Sequence, residues 1–531
     1  MTEARPSAPR GASRTVYTLR NFASSVLGQM LAVVLQFVVR TVFINTLGKS
    51  YLGISGLFTN ILSMLALAEM GVGSAIVFKL YDPIARDDRP RIAVLMKFYR
   101  TVYGFIGLAI AVVGVSLIPF LPAVIRDYAK LQALNINATV VFLLFLLDSV
   151  SSYLFFAYKS AIIAANQKEY LINVVGYLFT TAFSLVQIAC LVCFRSFILF
   201  TVVNVAKTIG QNFAVAKMAD RMYPYVGAPG AGRLSKPETL GIFRDCGALF
   251  VYKINYVVVM ATGNVVLSAA IGLDAVALYS NYCVLYAALR AMLEKVYNSV
   301  GHGIGNLHAM HDLRKEYAVF RVAMFVTAIL GGTLLAGVFS VADEFVAAWI
   351  GGPWVIPQPF SLLLGLVLFT TAFKLAIGRY RIAYGLFKQG WLRPVFGIVV
   401  NLVVCVALVR RLGILSIMVG TLAADWLTFM WYDPLILHRI GFQRAFPVRA
   451  YYWTVARHFA VCCAVAAIDR WICGRVFAGH GWFSVVAHAA FCGLSVPLAL
   501  MALHCRSEEG RYVLRLAGGQ LARLRSHSSD R

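Results

Sequence analysis

Long apolar segments alternate with short polar turns along almost the whole chain. Each segment has about twenty residues or more, enough for an α-helix to cross a hydrocarbon core of roughly 30 Å. Backbone groups must pair within such a segment, and the runs show no strand-like alternation, so the pattern predicts membrane-spanning helices. We predict fourteen spans, at 19–46, 51–78, 101–121, 137–158, 170–194, 197–216, 246–271, 275–300, 320–345, 358–378, 394–409, 413–437, 451–469 and 483–504.

The basic residues are distributed unevenly over the turns, as the positive-inside rule expects of a multi-pass protein. With the N-terminus in the cytoplasm, the inner turns hold Arg86, Arg89, Arg91, Lys97, Arg100, Lys168, Lys217, Arg221, Arg233, Lys236, Arg314, Lys315, Arg379, Arg381, Lys388, Arg393, Arg439, Arg444 and Arg449. The outer turns hold Lys49, Arg126, Lys130, Arg195, Arg410, Arg411, Arg470 and Arg475. This alternation does not invert, so the sequence predicts an even number of spans and two cytoplasmic termini.

Composition agrees with this pattern. Of the 531 residues, 60% are hydrophobic and 13% are charged, and the mean hydropathy is +0.76. A soluble protein carries roughly a quarter charged residues, so we predict an all-α polytopic membrane protein. The net charge of +25 suits an inner face beside anionic lipid, so membrane lipids and no nucleic acid are expected as partners. We expect the first apolar segment to remain as a span, not a cleaved signal, and the tail RYVLRLAGGQLARLR to be an interfacial amphipathic helix.

The first spans recur later in the chain at an offset of 224 residues, where Gly48 meets Gly272 and Asp88 meets Asp312. A parallel repeat is typical of transporters, and chance alignment of two apolar segments is the alternative. Two six-helix lobes would then be related by an axis along the membrane normal, with a substrate path between them. We predict an arm at 1–18, an N-lobe at 19–218, a linker at 219–242, a C-lobe at 243–440, two appended helices at 441–505 and a basic amphipathic tail at 506–531.

Charged residues inside the predicted spans are the candidates for chemistry. They are the basic Arg40, Lys207, Lys253, Arg290, Lys295 and Lys374 and the acidic Glu69, Asp148, Glu294 and Asp425. A charge at mid-membrane costs roughly 2.5–3.5 kcal/mol, so each must face protein or water. We interpret Lys207 and Lys374 as side chains that reach the interface from near a span end. Arg290 and Glu294 can neutralise each other at a spacing of four, and Asp148 can belong to a helix-packing network.

Polar stripes follow one face of two spans that correspond in the repeat. The first span carries Asn21, Ser25, Gln29, Gln36 and Arg40, and the seventh carries Asp245, Lys253, Tyr256, Asn264 and Ser268. We predict a shared wet cavity that attracts an anion, since Arg makes bidentate contacts to phosphate and Lys supplies a point charge. Arg290 and Lys295 complete this binding set. Hydrogen bonding that holds the helices together is the alternative.

The acidic residues form a separate set of ion-coupling candidates. Glu69 precedes Gly71 and Gly73, which loosen the helix, and a membrane carboxylate at such a point can bind a proton or cation. A hydrogen bond from Glu69 to a neighbouring helix is the alternative. Asp148, Glu294 and Asp425 complete this set, and no cofactor is expected beyond a coupling H⁺ or Na⁺.

Other motifs carry little weight. Gly301, Gly303 and Gly305 follow a membrane helix instead of a strand, so they do not predict a dinucleotide loop. No metal site is predicted from His302, His308, His311 and Asp312. The ten cysteines lie in apolar helices and are interpreted as packing thiols. We find no Walker A sequence and no defensible Ser/His/Asp arrangement, and we do not expect an enzyme.

One family resemblance is carried by the segment RTVFINTLGKSYLGISGLFTNILSMLALAEMGVGSAIVFKLYDPIA, followed by LYSNY, SVGHGIGNL, FVAAWIGG and GTLAADW. These motifs, between about residues 15 and 440 and most specific at 44–84, resemble flippases of the Wzx type, which move polysaccharide repeat units. These flippases belong to the multidrug/oligosaccharidyl-lipid/polysaccharide (MOP) exporter superfamily. Relatives read Thr-Asp-Asn where this chain reads Thr262-Gly263-Asn264, which puts an ion or polar role at that point in doubt.

The resemblance implies twelve or fourteen helices in two lobes, placed in the bacterial inner membrane. It implies that an undecaprenyl-diphosphate-linked oligosaccharide moves to the outer leaflet by alternating access, for export or assembly of a surface polysaccharide. A polysaccharide polymerase and export machinery would be partners. A drug/cation antiporter of the same superfamily remains an alternative, which an acidic cavity would favour. A membrane polymerase or ligase is a further one, but it would need a large outer loop, and the predicted outer turns are short.

Overall fold

Helices account for all regular structure in the part of the chain that the computed structural model describes, as the apolar pattern predicts. This part comprises residues 28, 31–66, 72–125, 128, 137–166, 168–227, 234–240, 258, 261–308, 312–386, 389–390, 392–476 and 481–515. The predicted all-α class is confirmed. The chain divides into two compact units, Met1–Lys253 and Ile254–Arg531.

The N-terminal unit contains eight labelled helices. They are α1 (Leu31–Leu47), α2 (Lys49–Leu65), α3 (Val72–Ala85), α4 (Arg89–Ser116), α5 (Ala138–Leu154), α6 (Ser160–Ala165), α7 (Glu169–Phe194) and α8 (Phe197–Met222). A left-handed residue, Phe156 with φ 60°, lies in the turn between α5 and α6. The helix pair on either side of this turn is bent by 42°, so the fourth predicted span is broken near its end.

The C-terminal unit also contains eight labelled helices. They are α9 (Ala261–Ala270), α10 (Leu273–His308), α11 (Leu313–Ile350), α12 (Phe360–Ala383), α13 (Arg393–Leu412), α14 (415–441), α15 (Val448–Val476) and α16 (Trp482–His504). Two π-helical segments, Asp425–Phe429 and Leu437–Gly441, interrupt α14. The core of this unit forms where α10, α11, α12, α14, α15 and α16 bury aromatic and aliphatic side chains, among them Phe320, Phe369 and Phe442.

Each of the fourteen predicted spans overlaps at least one helix in the described ranges, and the second span overlaps two, α2 and α3. Nine of these described helices are long and apolar enough to cross a membrane alone, and the bent pair makes a tenth. The helices α1 and α9 are shorter, and much of the first and seventh predicted spans falls outside the described residues. The protein is therefore a multi-pass membrane protein.

The 224-residue repeat is visible in local backbone geometry. Gly48 before α2 and Gly272 before α10 both have positive φ, 86° and 133°, which glycine adopts without steric cost. The carboxylate of Asp88 caps α4 by accepting the N–H of Arg91 at 3.0 Å, and Asp312 caps α11 through Lys315 at 3.1 Å. Corresponding turns therefore start corresponding helices in the same way.

Residues of the predicted linker contact the N-terminal helices at more than one place, and the contact of Glu238 is the most detailed. Nη2 of Arg91 lies 2.5 Å from Oε1 of Glu238, and Oγ of Ser235 donates to Oε2 at 2.8 Å. These hydrogen bonds lower the pKa of Glu238 to about 2. The ionised contact is therefore complete above the usual Glu range and is lost only as the pH falls towards that value. The lobe and linker boundaries themselves stay a prediction.

Two charge contacts join α12 to α14 inside the C-terminal unit. Nζ of Lys374 lies 2.5 Å from Oδ1 of Asp425, and Arg381 bonds Asp433. The two basic residues are seven positions apart and share a face of α12. The two acids are eight positions apart, and in an unbroken α-helix the side chain of Asp433 would point about 80° away from that of Asp425. The π-helical segment that begins at Asp425 absorbs the extra residue, so both acids face α12.

A buried triad of Arg381, Arg393 and Asp433 connects α13 to α12 and α14. Arg393 Nη1 lies 3.0 Å from the second oxygen of Asp433, while Arg381 also donates to the carbonyls of Leu386, at 2.9 Å, and Gln389. The distribution of basic residues in the sequence assigns Arg381 and Arg393 to one inner turn. In the structure Arg381 is 4% and Asp433 1% exposed, so this contact belongs to the packed interior of the unit. Asp433 thus links α14 to the end of α12 and the start of α13.

Asp433→Asn tests this triad. The substitution leaves two arginines buried without a counter-charge, which costs about 3–5 kcal/mol. Thermal unfolding of the purified protein should therefore show a large loss of stability. Asp82→Asn is the matched control, because Asp82 forms an exposed pair with Arg86 at 2.9 Å and such pairs contribute about 1 kcal/mol or less. Equal unfolding temperatures for the two variants would contradict the assigned role of the triad.

Candidate functional site

A cavity of about 360 Å³ lies within the N-terminal unit, among α1, α2, α7 and α8. Its size falls within the range of ligand-binding pockets. Its polar lining residues are Gln36 and Arg40 from α1, Ser55 from α2, Thr180, Ser184 and Gln187 from α7, and Lys207 from α8. Its other walls are apolar. We call this space the N-unit cavity.

The helix α1 brings two predicted residues to the N-unit cavity. Gln36 and Arg40 are four residues apart, so the helical period places them on one face. Val33, Val39 and Phe43 line the same space. This part of the predicted polar stripe therefore borders a cavity. Side chains that only hydrogen-bond a neighbouring helix would not need one.

The position of Lys207 differs from the one expected of a side chain that reaches the membrane interface. It lies near the middle of both the predicted span 197–216 and α8, and it lines the N-unit cavity. The cavity therefore has two basic residues from two helices, Arg40 and Lys207. The sequence identified only the first as a site residue.

Asp148 of α5 faces α8 beside Lys207. Its two carboxylate oxygens accept the amide of Asn204 at 2.8 Å and the hydroxyl of Thr208 at 2.6 Å. Asp148 also interacts electrostatically with Lys207, which lies between these two residues in sequence. The hydrogen bonds of Asp148 thus agree with its interpretation as part of a helix-packing network. This network also contacts Lys207, which lines the cavity.

The charge pattern defines what this site can hold. Among the described lining residues two are basic and none is acidic, and such a lining suits an anion where water is scarce. The guanidinium of Arg40 can make paired contacts to phosphate oxygens, and Lys207 adds a point charge. Amide and hydroxyl groups of Gln36, Gln187 and Ser184 can hydrogen-bond hydroxyl groups of a ligand.

A polar face on α7 escaped the sequence prediction. Thr180, Ser184 and Gln187 are spaced by four and three residues, the same periodicity that identified the stripe on α1. The exposed fractions of Ser184 and Gln187 are 7% and 6%, so both lie inside the unit. A search of every span for such spacing, without reference to charge, would have found them.

Four of the predicted charges described in the C-terminal unit form two ion pairs. Nε of Arg290 lies 2.8 Å from Oε1 of Glu294, so a predicted anion ligand and a predicted ion site form one salt bridge. Asp425, a second ion candidate, is paired with Lys374, which therefore does not reach to the interface. Lys295 is half-buried on α10.

Asn264 lies in a tightly packed part of α9 and is 2% exposed. A Cβ on the preceding Gly263 would lie 2.9 Å from Cγ2 of Ile417 and 3.3 Å from the hydroxyl of Tyr279. There is no room for a larger side chain where the resembling flippases carry Asp, because neighbouring atoms would have to move. Asn264 is thus placed in the core of its own unit.

Several predicted residues lie outside the described ranges. They are Gln29, Glu69, Lys253 and Tyr256. The same applies to His311 and to the side chains of His302 and His308.

Comparison with known proteins places the fold. No protein-family model matches the sequence, and no curated protein matches it. Among solved structures, the chain is similar to "Lipid II flippase MurJ, inward closed conformation" at a TM-score of 0.68 and 14% identity, over 91% of this chain and 99% of that one. An inward-facing multidrug resistance MATE family transporter of the MOP superfamily gives 0.60 at 14% identity, over 79% and 96%. A MATE structure in the bent conformation gives 0.53 at 14% identity, over 78% and 95%. The chain therefore has the fold of these transporters.

Cysteine labelling tests the charge of the N-unit cavity. In protein whose exposed native cysteines have been replaced, Ser55→Cys should react faster with an anionic than with a cationic methanethiosulfonate, because Arg40 and Lys207 concentrate anions there. Adding Arg40→Gln and Lys207→Gln should remove this preference. Labelling rates followed by mass spectrometry give the ratio. A preference that survives both substitutions would show that these residues do not set the potential.

Proposed function

We propose that this protein is a flippase that moves an undecaprenyl-diphosphate-linked oligosaccharide from the cytoplasmic to the outer leaflet of a bacterial inner membrane. Movement occurs by alternating access and serves the export or assembly of a surface polysaccharide. The observation that carries this proposal is the N-unit cavity, in which Arg40 and Lys207 are brought together inside a membrane unit.

The cavity chemistry matches the head of such a substrate. A diphosphate is strongly anionic, and hydrogen bonds between charged groups in a dehydrated site are stronger than neutral ones. Arg40 and Lys207 would bind the phosphates. Gln36, Ser184 and Gln187 would bind sugar hydroxyls.

The fold supports the same proposal. The structure with the TM-score of 0.68 is called a lipid II flippase, and it aligns with more of this chain than the MATE structures do. The sequence motifs independently resemble flippases of the Wzx type. We therefore propose that the protein acts as the flippases of the superfamily do, and not as its drug transporters do.

The drug/cation antiporter is the second candidate, because MATE transporters share the fold. An acidic binding cavity would favour it. The described cavity instead has two basic lining residues, with Asp148 beside one of them. We also propose that transport is coupled to H⁺ or Na⁺ and that Asp148 or Glu69 takes part in this coupling. A polysaccharide polymerase and export machinery are the proposed partners.

Arg40→Ala and Lys207→Ala provide the test, each assayed in cells that lack the native copy. Each should cause lipid-diphosphate-linked oligosaccharide to accumulate on the cytoplasmic side and should lower transport by more than about tenfold, since each removes a charged hydrogen-bond donor to phosphate. Arg40→Lys should retain part of the activity, because it keeps the charge and loses the fork. Glycolipid amount and sidedness are measured at matched expression.

Lys217→Ala is the control, because Lys217 is an exposed lysine on the same helix as Lys207. It should transport normally. Normal transport by both Arg40→Ala and Lys207→Ala would reject the N-unit cavity as the diphosphate site. Export of a cationic drug without effect on any glycolipid would favour the antiporter.

A further inference from the structure

A second cavity, of about 370 Å³, lies within the C-terminal unit. It is bounded by the first turns of α11 and α15, the end of α16 and the residues that follow α16. Its polar lining includes Arg321, Tyr451, Arg457, His458, His504 and Glu509. We call it the C-unit cavity. These helix ends all carry turns that the distribution of Arg and Lys assigns to the cytoplasmic side.

Hydrogen bonds fix the protonation of the two histidines. Nη2 of Arg457 lies 2.9 Å from Nε2 of His504, and an arginine can only donate, so this nitrogen carries no proton. The Nδ1–H of His504 then donates to the carbonyl of Leu500 at 3.1 Å. Nε2 of His458, 3.2 Å from the same His504 atom, must also be a donor. Neutral His458 therefore presents Nδ1 as an acceptor.

Three buried polar atoms of this cavity lack a hydrogen-bond partner among the described residues. One is Nε of Arg321, and the other two are Nδ1 of His458 and the hydroxyl oxygen of Tyr451. His458 and Tyr451 are 2% and 5% exposed, so bulk water does not solvate them. A buried acceptor and a buried hydroxyl without partners cost free energy, which a ligand with hydroxyl groups would recover.

Acidic residues after α16 occupy the basic edge of the cavity. Glu508 bonds Nη2 of Arg321, and Oε1 of Glu509 lies 3.3 Å from Nε of the same arginine. The side chains of Arg321 and Glu508 are 40% and 76% exposed, so their contact is weak and exchangeable. Glu509 is less exposed, at 18%, but its carboxylate makes no hydrogen bond to Nε of Arg321. An external anion can compete for Arg321 from the membrane surface.

We propose that the C-unit cavity binds the head group of an anionic, hydroxyl-bearing phospholipid of the cytoplasmic leaflet, such as phosphatidylglycerol. The phosphate takes the place of Glu508 and Glu509 at Arg321 and lies against Arg457. The glycerol hydroxyls bond Nδ1 of His458 and the hydroxyl of Tyr451. Basic pockets between membrane helices on the cytoplasmic side are typical sites for anionic lipid head groups.

The chemistry selects this occupant over others. Two guanidinium groups favour a head group with a net negative charge over a zwitterionic one. The acceptor on His458 needs a donor, which a glycerol head group has. Displaced Glu508 and Glu509 are followed by Arg511 and Arg515, which an anionic bilayer surface attracts. Lipid binding therefore exchanges one set of ion pairs for another.

Lipid titration of the full chain tests this proposal. The detergent-purified protein is titrated with phosphatidylglycerol or phosphatidylcholine, and native mass spectrometry counts retained lipid while thermal unfolding is followed. Phosphatidylglycerol should bind more than about tenfold tighter than phosphatidylcholine and should raise the unfolding temperature. Glycerol 1-phosphate and inorganic phosphate are titrated in parallel. An equal effect of either soluble anion would reject the lipid as occupant.

Paired variants separate the site from general membrane electrostatics. Arg321→Gln with Arg457→Gln should abolish the preference for phosphatidylglycerol. Arg410→Gln with Arg411→Gln, two exposed arginines at the end of α13, should preserve it. Glu508→Gln with Glu509→Gln should tighten phosphatidylglycerol binding, because the competing carboxylates are removed, and this gain cannot arise from misfolding. No gain in that variant, or an unchanged preference without Arg321 and Arg457, would overturn the proposal.

Discussion

A charge inside a membrane must be compensated by protein, and this requirement organises both units of the structure. Hydrocarbon offers no partner to an ionised side chain, so such a residue needs a polar network or a cavity beside it. In the C-terminal unit Asp433 compensates Arg381 and Arg393 at once, and Asp425 compensates Lys374. The position of α14 against α12 and α13 depends on these contacts.

The two units use their charges differently. The charges of α12, α13 and α14 named above are joined in ion pairs, which stabilise the positions of these helices. In the N-terminal unit, Arg40 and Lys207 border the same space, with Asp148 adjacent to the second. The balance of basic and acidic groups around a cavity, more than the number of charges in a helix, decides whether a membrane unit attracts an anion.

Sequence periodicity was sufficient for the fold and insufficient for the site. Apolar length predicted the helices, because the bilayer imposes it on each segment separately. The glycines and aspartates of the repeat predicted equivalent helix starts, because caps and positive φ are local properties. The pairing of Lys374 with Asp425, and the position of Lys207 in a cavity, depend on which helices are neighbours. A single sequence does not contain that information in its local pattern, so neither was predicted from it.

The capping of α4 by Asp88 and of α11 by Asp312 has an evolutionary consequence. If the two halves descend from one duplicated gene, selection has kept the residues that fix where a helix starts, while the residues between those points have diverged. Such inheritance leaves a common frame in which one copy can specialise in ligand chemistry and the other in internal cohesion. Chimaeras joined at these aspartates would exchange whole helices without disturbing their starts. The two capping turns are thus natural points at which evolution, or an engineer, can recombine the halves.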